Sequence, residues 1–205
     1  MLFQQNILTI LIVSPMLIMS LSFHEWAHAY SAYKLGDNTA KDLGRMTINP
    51  WVHLDGLGCL MLLLLGFGWA KPVPVSIQNL KEPHTDMIKV ALAGPLANFF
   101  LAFLGGLLVK TLDSSLAQGA FFLFTQLNIA LALFNLLPVA PLDGSQILTG
   151  LLIKSRPSWV FSYRKYSPFI LYAFIFIGFA TNFSPVWWLI GPVVKFLTSI
   201  FVGLV

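Results

Sequence analysis

Long apolar runs restrict the fold of this chain more than any other feature of its sequence. Residues 87 to 109 and 118 to 137 are each about as long as the roughly 20 residues that a helix needs to cross a bilayer. Residues 7 to 33 form another run, interrupted only by a few polar side chains. The chain is 57% hydrophobic and 10% charged, whereas a soluble domain carries about 25% charged residues. Because too little polar surface remains to cover a globule, the sequence predicts an all-α polytopic integral membrane protein.

Two shorter segments lie between these runs. Residues 57 to 70 are apolar, but fourteen residues are too few to cross a bilayer, so we expect a re-entrant or shallow hairpin. Residues 69 to 77 alternate Val with Pro, which excludes a helix and suits an extended edge strand, where proline is tolerated. The predicted fold therefore contains a short re-entrant or β-like segment beside its helices.

The C-terminal part is predicted to be a helical hairpin. A basic stretch, 154 to 165, precedes two apolar runs at 169–180 and 186–205. No internal repeat or low-complexity tract divides the chain. We therefore expect a single membrane-embedded domain over residues 1–205, with the core at about 7–153 and the hairpin at about 166–205.

The basic residues predict the orientation in the membrane. If the first helix runs inward and residues 57 to 70 do not cross, ten of the twelve Lys and Arg residues are cytoplasmic, as the positive-inside rule requires. We expect a multi-pass protein of the cell inner (plasma) membrane without a cleavable signal peptide, because the first run lacks a basic n-region. The net charge of +4 does not indicate nucleic-acid binding, because the sequence has no dense basic run. The ten residues are Lys34, Lys41, Arg45, Lys71, Lys81, Lys89, Lys154, Arg156, Arg164 and Lys165.

An H-E-x-x-H motif, residues 24 to 28, lies within the first apolar run. Residues four apart share one face of a helix, so His24 and His28 can reach a single metal ion. Glu25 lies beside them, where it can accept a proton from water that the metal activates. Burying these polar side chains in an apolar helix costs several kcal/mol unless they are paired or metal-bound. This cost favours a metal site over the alternative, a structural hydrogen-bond cluster.

Asp143 is the best candidate for a third ligand, since a catalytic zinc ion usually has three protein ligands and an open position. Pro138 and Pro141 break the preceding helix, and Gly144 permits a sharp turn toward the bundle. Alternatively, Asp143 could cap the helix that begins at Gly144. Locally the two interpretations are about equally good.

Depth in the membrane favours Asp143 as a ligand. His24 lies seventeen residues beyond Ile7, about 26 Å along an inward-running helix. Leu137 lies sixteen residues beyond Phe121, about 24 Å along a second inward-running helix. Both sites therefore lie near the cytoplasmic end of the hydrocarbon layer.

Glu82 and Asp86 form a competing pair, because another class of membrane metalloprotease takes a Glu from a later helix. Pro83 and the polar residues around the pair predict a solvated loop. We therefore prefer Asp143.

Three motifs together resemble the site-2 protease family. They are the H-E-x-x-H helix, the Gly-Pro-Leu-Ala-Asn stretch at 94–98 and the Asn-x-x-Pro-x-x-Pro-Leu-Asp-Gly stretch at 135–144. Their order and separation are similar to those of that family's three-helix catalytic core, and they extend over about 120 of the 205 residues. The chain is similar to the small prokaryotic members without PDZ or CBS domains. Gly56 stands where the family pattern has Pro, which affects only the local turn.

The resemblance implies an intramembrane zinc metalloprotease with one Zn²⁺ per chain. It implies that His24, His28 and Asp143 bind the zinc ion and that Glu25 is the general base and acid. It also implies single-pass transmembrane proteins as substrates, such as anti-sigma factors or signal-peptide remnants, cleaved near the cytoplasmic side of the membrane.

Three further polar residues have two interpretations each. Asn98 and Asn135 are amides in apolar helices, which suits contact with the substrate backbone or the developing oxyanion, or equally an interhelical hydrogen bond. His53 suits a loop histidine at the interface better than a residue that supports the metal site.

Val73 and Val75 lie in the predicted edge strand. A protease that acts in the membrane must unwind a helical substrate before it reaches a peptide bond. The strand could pair with an extended substrate segment and present one peptide bond to the metal.

Two rival functions make different demands on the sequence. A metal or proton transporter needs ionisable residues spaced through the depth of the bilayer, whereas Glu25 and Asp143 are predicted at one level. A catalytically dead relative that acts as a binding module should lack a catalytic residue, and all the expected ones are present. The sequence therefore favours the enzyme.

Overall fold

A computed structural model describes residues 7–58, 61, 70–181 and 183–203 of the chain. These residues are mostly helical, and none of them belongs to a β-strand, which confirms the predicted all-α fold. A 3₁₀ turn at Ile77–Asn79 precedes the central helix. The α-helices are α1 (Ile7–Lys34), α2 (Thr39–Asp42), α3 (Pro50–His53), α4 (Pro83–Thr111), α5 (Ser115–Asn135), α6 (Asp143–Leu152), α7 (Pro157–Ala180) and α8 (Pro185–Val202).

Three of these helices, α4, α5 and α8, are long and apolar enough to cross a membrane. Their first turns follow from the local sequence. Pro83 and Pro185 begin α4 and α8, where the missing N–H costs no helical hydrogen bond. The Ser114 and Ser184 side chains accept hydrogen bonds from the first turns of α5 and α8. The chain is therefore a membrane protein, as its composition predicts.

Helix α4 is the centre of a three-helix core, and it packs against both α1 and α5. A Cβ atom at Gly94 would collide with the imidazoles of His24 and His28 on α1, and one at Gly105 would collide with Thr125 on α5. Close approach of this kind replaces the hydrophobic driving force that helices lack in lipid. The glycines of α4 therefore let α1 and α5 pack closely enough for their polar side chains to reach α4.

The last helix packs onto the same core. Ala102 of α4, Ile129 of α5, and Ile190 and Val194 of α8 form one buried apolar cluster. Helix α7 begins at Pro157, inside the basic stretch that we predicted to separate α6 from the hairpin. The helix therefore begins earlier than residue 166, where we predicted the hairpin to start, and proline is favourable at its first position.

The predicted edge strand is wrong. Ala70 makes only an isolated antiparallel bridge with Leu54, and residues 71–76, here called the Pro-Val segment, have no regular secondary structure. The prolines lack an N–H, while the Val73 and Ser76 N–H groups donate to the carboxylates of Glu25 and Asp37. These two N–H groups are therefore bonded to side chains and are not available for pairing with a neighbouring strand. The predicted re-entrant hairpin at 57–70 lies mostly outside the described residues.

The Pro-Val segment is tied down at both ends. At one end, the Lys71 N–H donates to the His53 carbonyl at 2.7 Å, and the Arg45 guanidinium donates to the Lys71 carbonyl at 2.7 Å. At the other end, the Ser76 N–H donates to Asp37 Oδ2 at 2.7 Å. The loop after α1 thereby fixes the position of Val73 beside Glu25.

Asp37 organises this loop as a buried hydrogen-bond acceptor. Its carboxylate accepts hydrogen bonds from Thr39, Asn79 and Ser76. Burial opposes ionisation, but these hydrogen bonds outweigh it and hold the pKa of Asp37 below its usual value. A lowered pKa gives stability that is fully present above the ordinary carboxyl pKa, near 4, and is lost as the pH falls through the folded-state value.

We expect Asp37→Asn to lower the free energy of unfolding by about 2 kcal/mol at pH 7, because an amide N–H₂ group would face one of the donors. Thermal unfolding in detergent measures this effect, and the gap from wild type should shrink below about pH 4. Asp42→Asn, at an exposed position, is the matched control. A gap that stays constant from pH 7 to pH 3 would contradict the assigned role of the ionised carboxylate.

Candidate metal centre and active site

Three potential ligands from distant parts of the chain meet at one point. His24 and His28 on α1 and Asp143 at the start of α6 each offer one atom, and these atoms lie within 4.8 Å of one another. The two Nε2 atoms are 3.0 Å apart. Asp143 Oδ2 lies 3.2 Å from His24 Nε2, and Oδ1 lies 3.3 Å from His28 Nε2. The structure thus brings together the three residues that the sequence singled out as ligands.

The hydrogen bonds of the two imidazoles leave both Nε2 atoms as acceptors. His24 Nδ1 lies 2.6 Å from Asn98 Oδ1, and His28 Nδ1 lies 2.7 Å from the Val90 carbonyl oxygen. Since both partners are acceptors, each Nδ1 carries the proton and donates it. Each neutral ring then presents an unprotonated Nε2 to the other and to Asp143.

This arrangement fits a zinc ion. Two nitrogen lone pairs and a carboxylate that face each other at 3.0–3.3 Å repel one another unless a cation lies between them. Tetrahedral zinc with bonds of about 2.0–2.2 Å places its ligand atoms roughly 3.3–3.5 Å apart. Asp143 Oδ2 is buried and has no hydrogen-bond partner among the described residues, which suits a carboxylate oxygen that binds a metal.

Asp143 does not cap its helix through its side chain. It is the first residue of α6, and the N-cap position belongs to Leu142, whose side chain makes no cap hydrogen bond. A Cβ at Gly144 would collide with the Leu136 and Leu137 carbonyls, so only glycine allows the turn to fold back this closely. The capping alternative is therefore not what the structure contains.

Glu25 follows His24 on α1, and the Val73 N–H donates to its Oε2 at 2.8 Å. This hydrogen bond orients the carboxylate without neutralising it. Glu25 and His24 line a cavity of about 680 Å³. Its other lining residues are mostly apolar and come from α1, α5 and α7, from the turn before α6 and from the chain between α3 and α4. The cavity volume is within the usual range for ligand sites. A carboxylate and a metal site therefore border one apolar cavity.

Comparison with known proteins identifies the family. A relative from Bacillus subtilis, named "Putative zinc metalloprotease YwhC", is 41% identical over 174 residues, which are 78% of this chain and 78% of that protein. The chain belongs to peptidase family M50. The model of Peptidase family M50 itself matches residues 106–181. No solved structure matched the chain.

Two further relatives are also similar to this chain. A protein from Mycobacterium tuberculosis named "Putative zinc metalloprotease Rip2" is 33% identical over 169 residues, 78% of this chain and 62% of the relative. Stage IV sporulation protein FB of Bacillus subtilis is 34% identical over 96 residues, 47% of this chain and 32% of the relative. Membership of family M50 confirms a zinc metalloprotease of the site-2 protease type in a membrane.

The two asparagines of the sequence analysis have different environments in this M50 member. Asn98 is fully buried, and its Nδ2 donates to Asn128 Oδ1 at 3.0 Å while its Oδ1 accepts from His24. It makes the interhelical hydrogen bonds that the sequence left as the alternative. Asn135 instead lines the cavity, and its Nδ2 donates to the Leu131 carbonyl of its own helix.

The competing acidic pair does not reach the site. Asp86 lies in the first turn of α4, where its carboxylate accepts from the Glu82 N–H and pairs with Lys89 at 2.7 Å. The solvated loop predicted for the pair is wrong for Asp86, which is buried in a helix that begins at Pro83, whereas Glu82 is exposed and precedes that helix. His53, predicted in a loop, is instead the last residue of the short helix α3, where it is buried and its Nε2 hydrogen-bonds the Thr47 carbonyl.

Asn128 is a residue that the sequence analysis missed. It is fully buried on α5, its Oδ1 accepts from Asn98, and its Nδ2 donates to the Phe124 carbonyl. The sequence analysis singled out Asn98 and Asn135 because each is an amide in an apolar helix, and the same criterion applies to Asn128. Three helices are therefore connected by one chain of hydrogen bonds that ends at His24.

We expect Asn128→Leu to weaken zinc binding about 10- to 100-fold, because Asn98 then loses the acceptor that orients its amide toward His24. Competition with a chromogenic chelator in detergent measures the dissociation constant. Asn38→Leu, at an exposed position whose side chain makes no cap hydrogen bond, is the matched control. Unchanged zinc affinity in a folded Asn128→Leu protein would show that Asn98 orients His24 unaided.

Proposed function

We propose that this M50 protease hydrolyses peptide bonds in or near transmembrane segments of single-pass membrane proteins. The supporting observation is the convergence of His24, His28 and Asp143 beside an apolar cavity that His24 and Glu25 line. In this proposal the three converging residues hold the zinc ion. When bound, zinc supplies Lewis-acid activation of water and of the scissile carbonyl.

The roles of the protein's own side chains follow from their positions. Glu25 accepts the proton of the attacking water and later delivers it to the leaving amine. The Val73 N–H keeps the Glu25 carboxylate turned toward the cavity. Asn135, on the cavity wall, stabilises the developing oxyanion with its amide. Asn98 has a different task, since its hydrogen bonds hold His24 in place.

We place the active site near the cytoplasmic face of the inner membrane. His28 precedes Lys34, the last residue of α1, by six residues, or about 9 Å of helix. Ten of the twelve basic residues lie at that end of the helices in the proposed topology, as the positive-inside rule favours. Substrates would then be cut close to the cytoplasmic end of their transmembrane segments.

We expect Glu25→Gln to keep its zinc ion and to lose peptide hydrolysis by about 10²- to 10⁴-fold, because only the proton acceptor is removed. Metal analysis and cleavage of a model transmembrane substrate in detergent measure the two properties on the same preparation. Glu82→Gln, at an exposed position before α4, is the matched control. Cleavage at the wild-type rate by Glu25→Gln would rule out this mechanism.

The substrate would be held in an extended form beside the Pro-Val segment. The free chain has no strand there, so pairing would form only when substrate arrives. The Val75 side chain packs against the buried cluster of Ala32, Leu80 and Val90, which fixes the segment against the body of the protein. Backbone donors and acceptors of this segment then present one substrate peptide bond to the zinc ion and Glu25.

We expect Val75→Pro to abolish cleavage with zinc content unchanged, because it removes a backbone N–H from the pairing edge. Val75→Ala keeps the N–H and is the matched control for lost packing. Val73→Pro should also abolish cleavage, since it removes the donor to Glu25 as well. If Val75→Pro cleaves as well as Val75→Ala does, the segment is not the one that pairs with substrate.

A further inference from the structure

The turn that presents Asp143 has little internal support. Residues 136–142 connect α5 to α6, and Pro138 and Pro141 have no N–H to contribute. The backbone bonds within this turn join Val139 to Leu137 and Leu142 to Val139. A carboxylate at the end of such a turn needs external contacts to keep a fixed position, because metal ligation tolerates only small displacements.

Helix α7 supplies those contacts on both sides of Asp143. The Tyr163 hydroxyl donates to the Pro138 carbonyl at 2.6 Å, and the Ala140 N–H donates to Ser167 Oγ at 3.1 Å. Six residues after Asp143, Thr149 on α6 accepts a hydrogen bond from the Arg164 guanidinium at 3.3 Å. Ser167 is only 2% exposed, so its hydrogen bond is shielded from solvent.

The same face of α7 also forms part of the cavity wall. Tyr163 and Ser167 are four residues apart, and continuing that spacing gives Leu171 and Ile175. Leu171 and Ile175 both line the cavity beside Glu25. One continuous helical face therefore touches the Asp143 turn at one end and the cavity at the other.

We propose that Tyr163 and Ser167 are positioning residues that hold Asp143 in place for metal binding and connect it to the cavity wall. This inference rests on the proposed function, in which Asp143 is a zinc ligand. The two residues touch neither zinc nor substrate and act only through the backbone of residues 138–140. Their loss should leave the histidine pair intact and release the carboxylate.

The test measures zinc loss to a chelator for Tyr163→Phe, Ser167→Ala and the double variant in the full chain. Each single variant should lose zinc about 3- to 10-fold faster than wild type and the double variant at least 10-fold faster, within the usual effect of residues that orient metal ligands. Tyr166→Phe and Ser162→Ala, at exposed positions on the same helix, should match wild type. Ser167→Thr, which retains the hydroxyl, should restore slow zinc loss relative to Ser167→Ala.

Kinetics on zinc-saturated protein give a second readout. A displaced Asp143 lowers kcat with little change in KM, whereas a merely distorted cavity raises KM. If wild type binds zinc and the folded double variant retains it equally long, this inference is overturned and the proposed function stands. If wild type itself binds no zinc, the proposed function fails and the inference fails with it.

Discussion

The requirement that buried polar groups find partners inside an apolar bundle governs this structure. His24 on α1 donates to Asn98 on α4, which donates to Asn128 on α5, which donates to a carbonyl of its own helix. In lipid no water can replace a missing partner, so each link costs several kcal/mol if broken. The rotation and the depth of three helices are thereby fixed together. This connection turns two histidines four residues apart into a site with a defined ring orientation.

Glycine makes this connection geometrically possible. The polar side chains are short, so α1 and α4 have to approach closely before the hydrogen bonds can form. A side chain at Gly94 would occupy the space of both imidazoles. The residue that follows, Pro95, has no N–H, so the Ala91 carbonyl loses its helical partner, and Ala91 is the residue next to Val90, whose carbonyl accepts from His28. Close packing and the missing helical hydrogen bond of α4 thus occur at the same place, beside His24 and His28.

Periodicity and run length predicted most of the fold, because spanning helices must be long and apolar whatever their neighbours are. The H-E-x-x-H spacing predicted the pair of imidazoles, and equal depth predicted that Asp143 would lie beside them. The conformation of residues 71–76 could not be predicted, since it depends on Glu25 and Asp37, which come from other parts of the chain. The same holds for Asn98, whose role depends on which way α4 is rotated. Sequence propensity predicts local secondary structure, whereas the conformation of residues 71–76 and the role of Asn98 depend on contacts with residues far away in the chain.

The site combines rigid and irregular parts of the structure. Both histidines lie on a helix inside the packed core, so their positions are fixed by helix geometry and by the network to Asn128. Asp143 directly follows the irregular turn at 136–142, and the partner of Glu25 lies in the irregular Pro-Val segment. Other elements hold both of these irregular parts through a few hydrogen bonds. Opening such segments costs less free energy than separating packed helices. In the proposed function, two ligands on a rigid helix would keep the metal position constant, and a third after a supported turn would leave room for the backbone to adjust when an extended peptide enters the cavity. We infer that substrate is accommodated by the Pro-Val segment and the Asp143 turn, while the three-helix core stays unchanged.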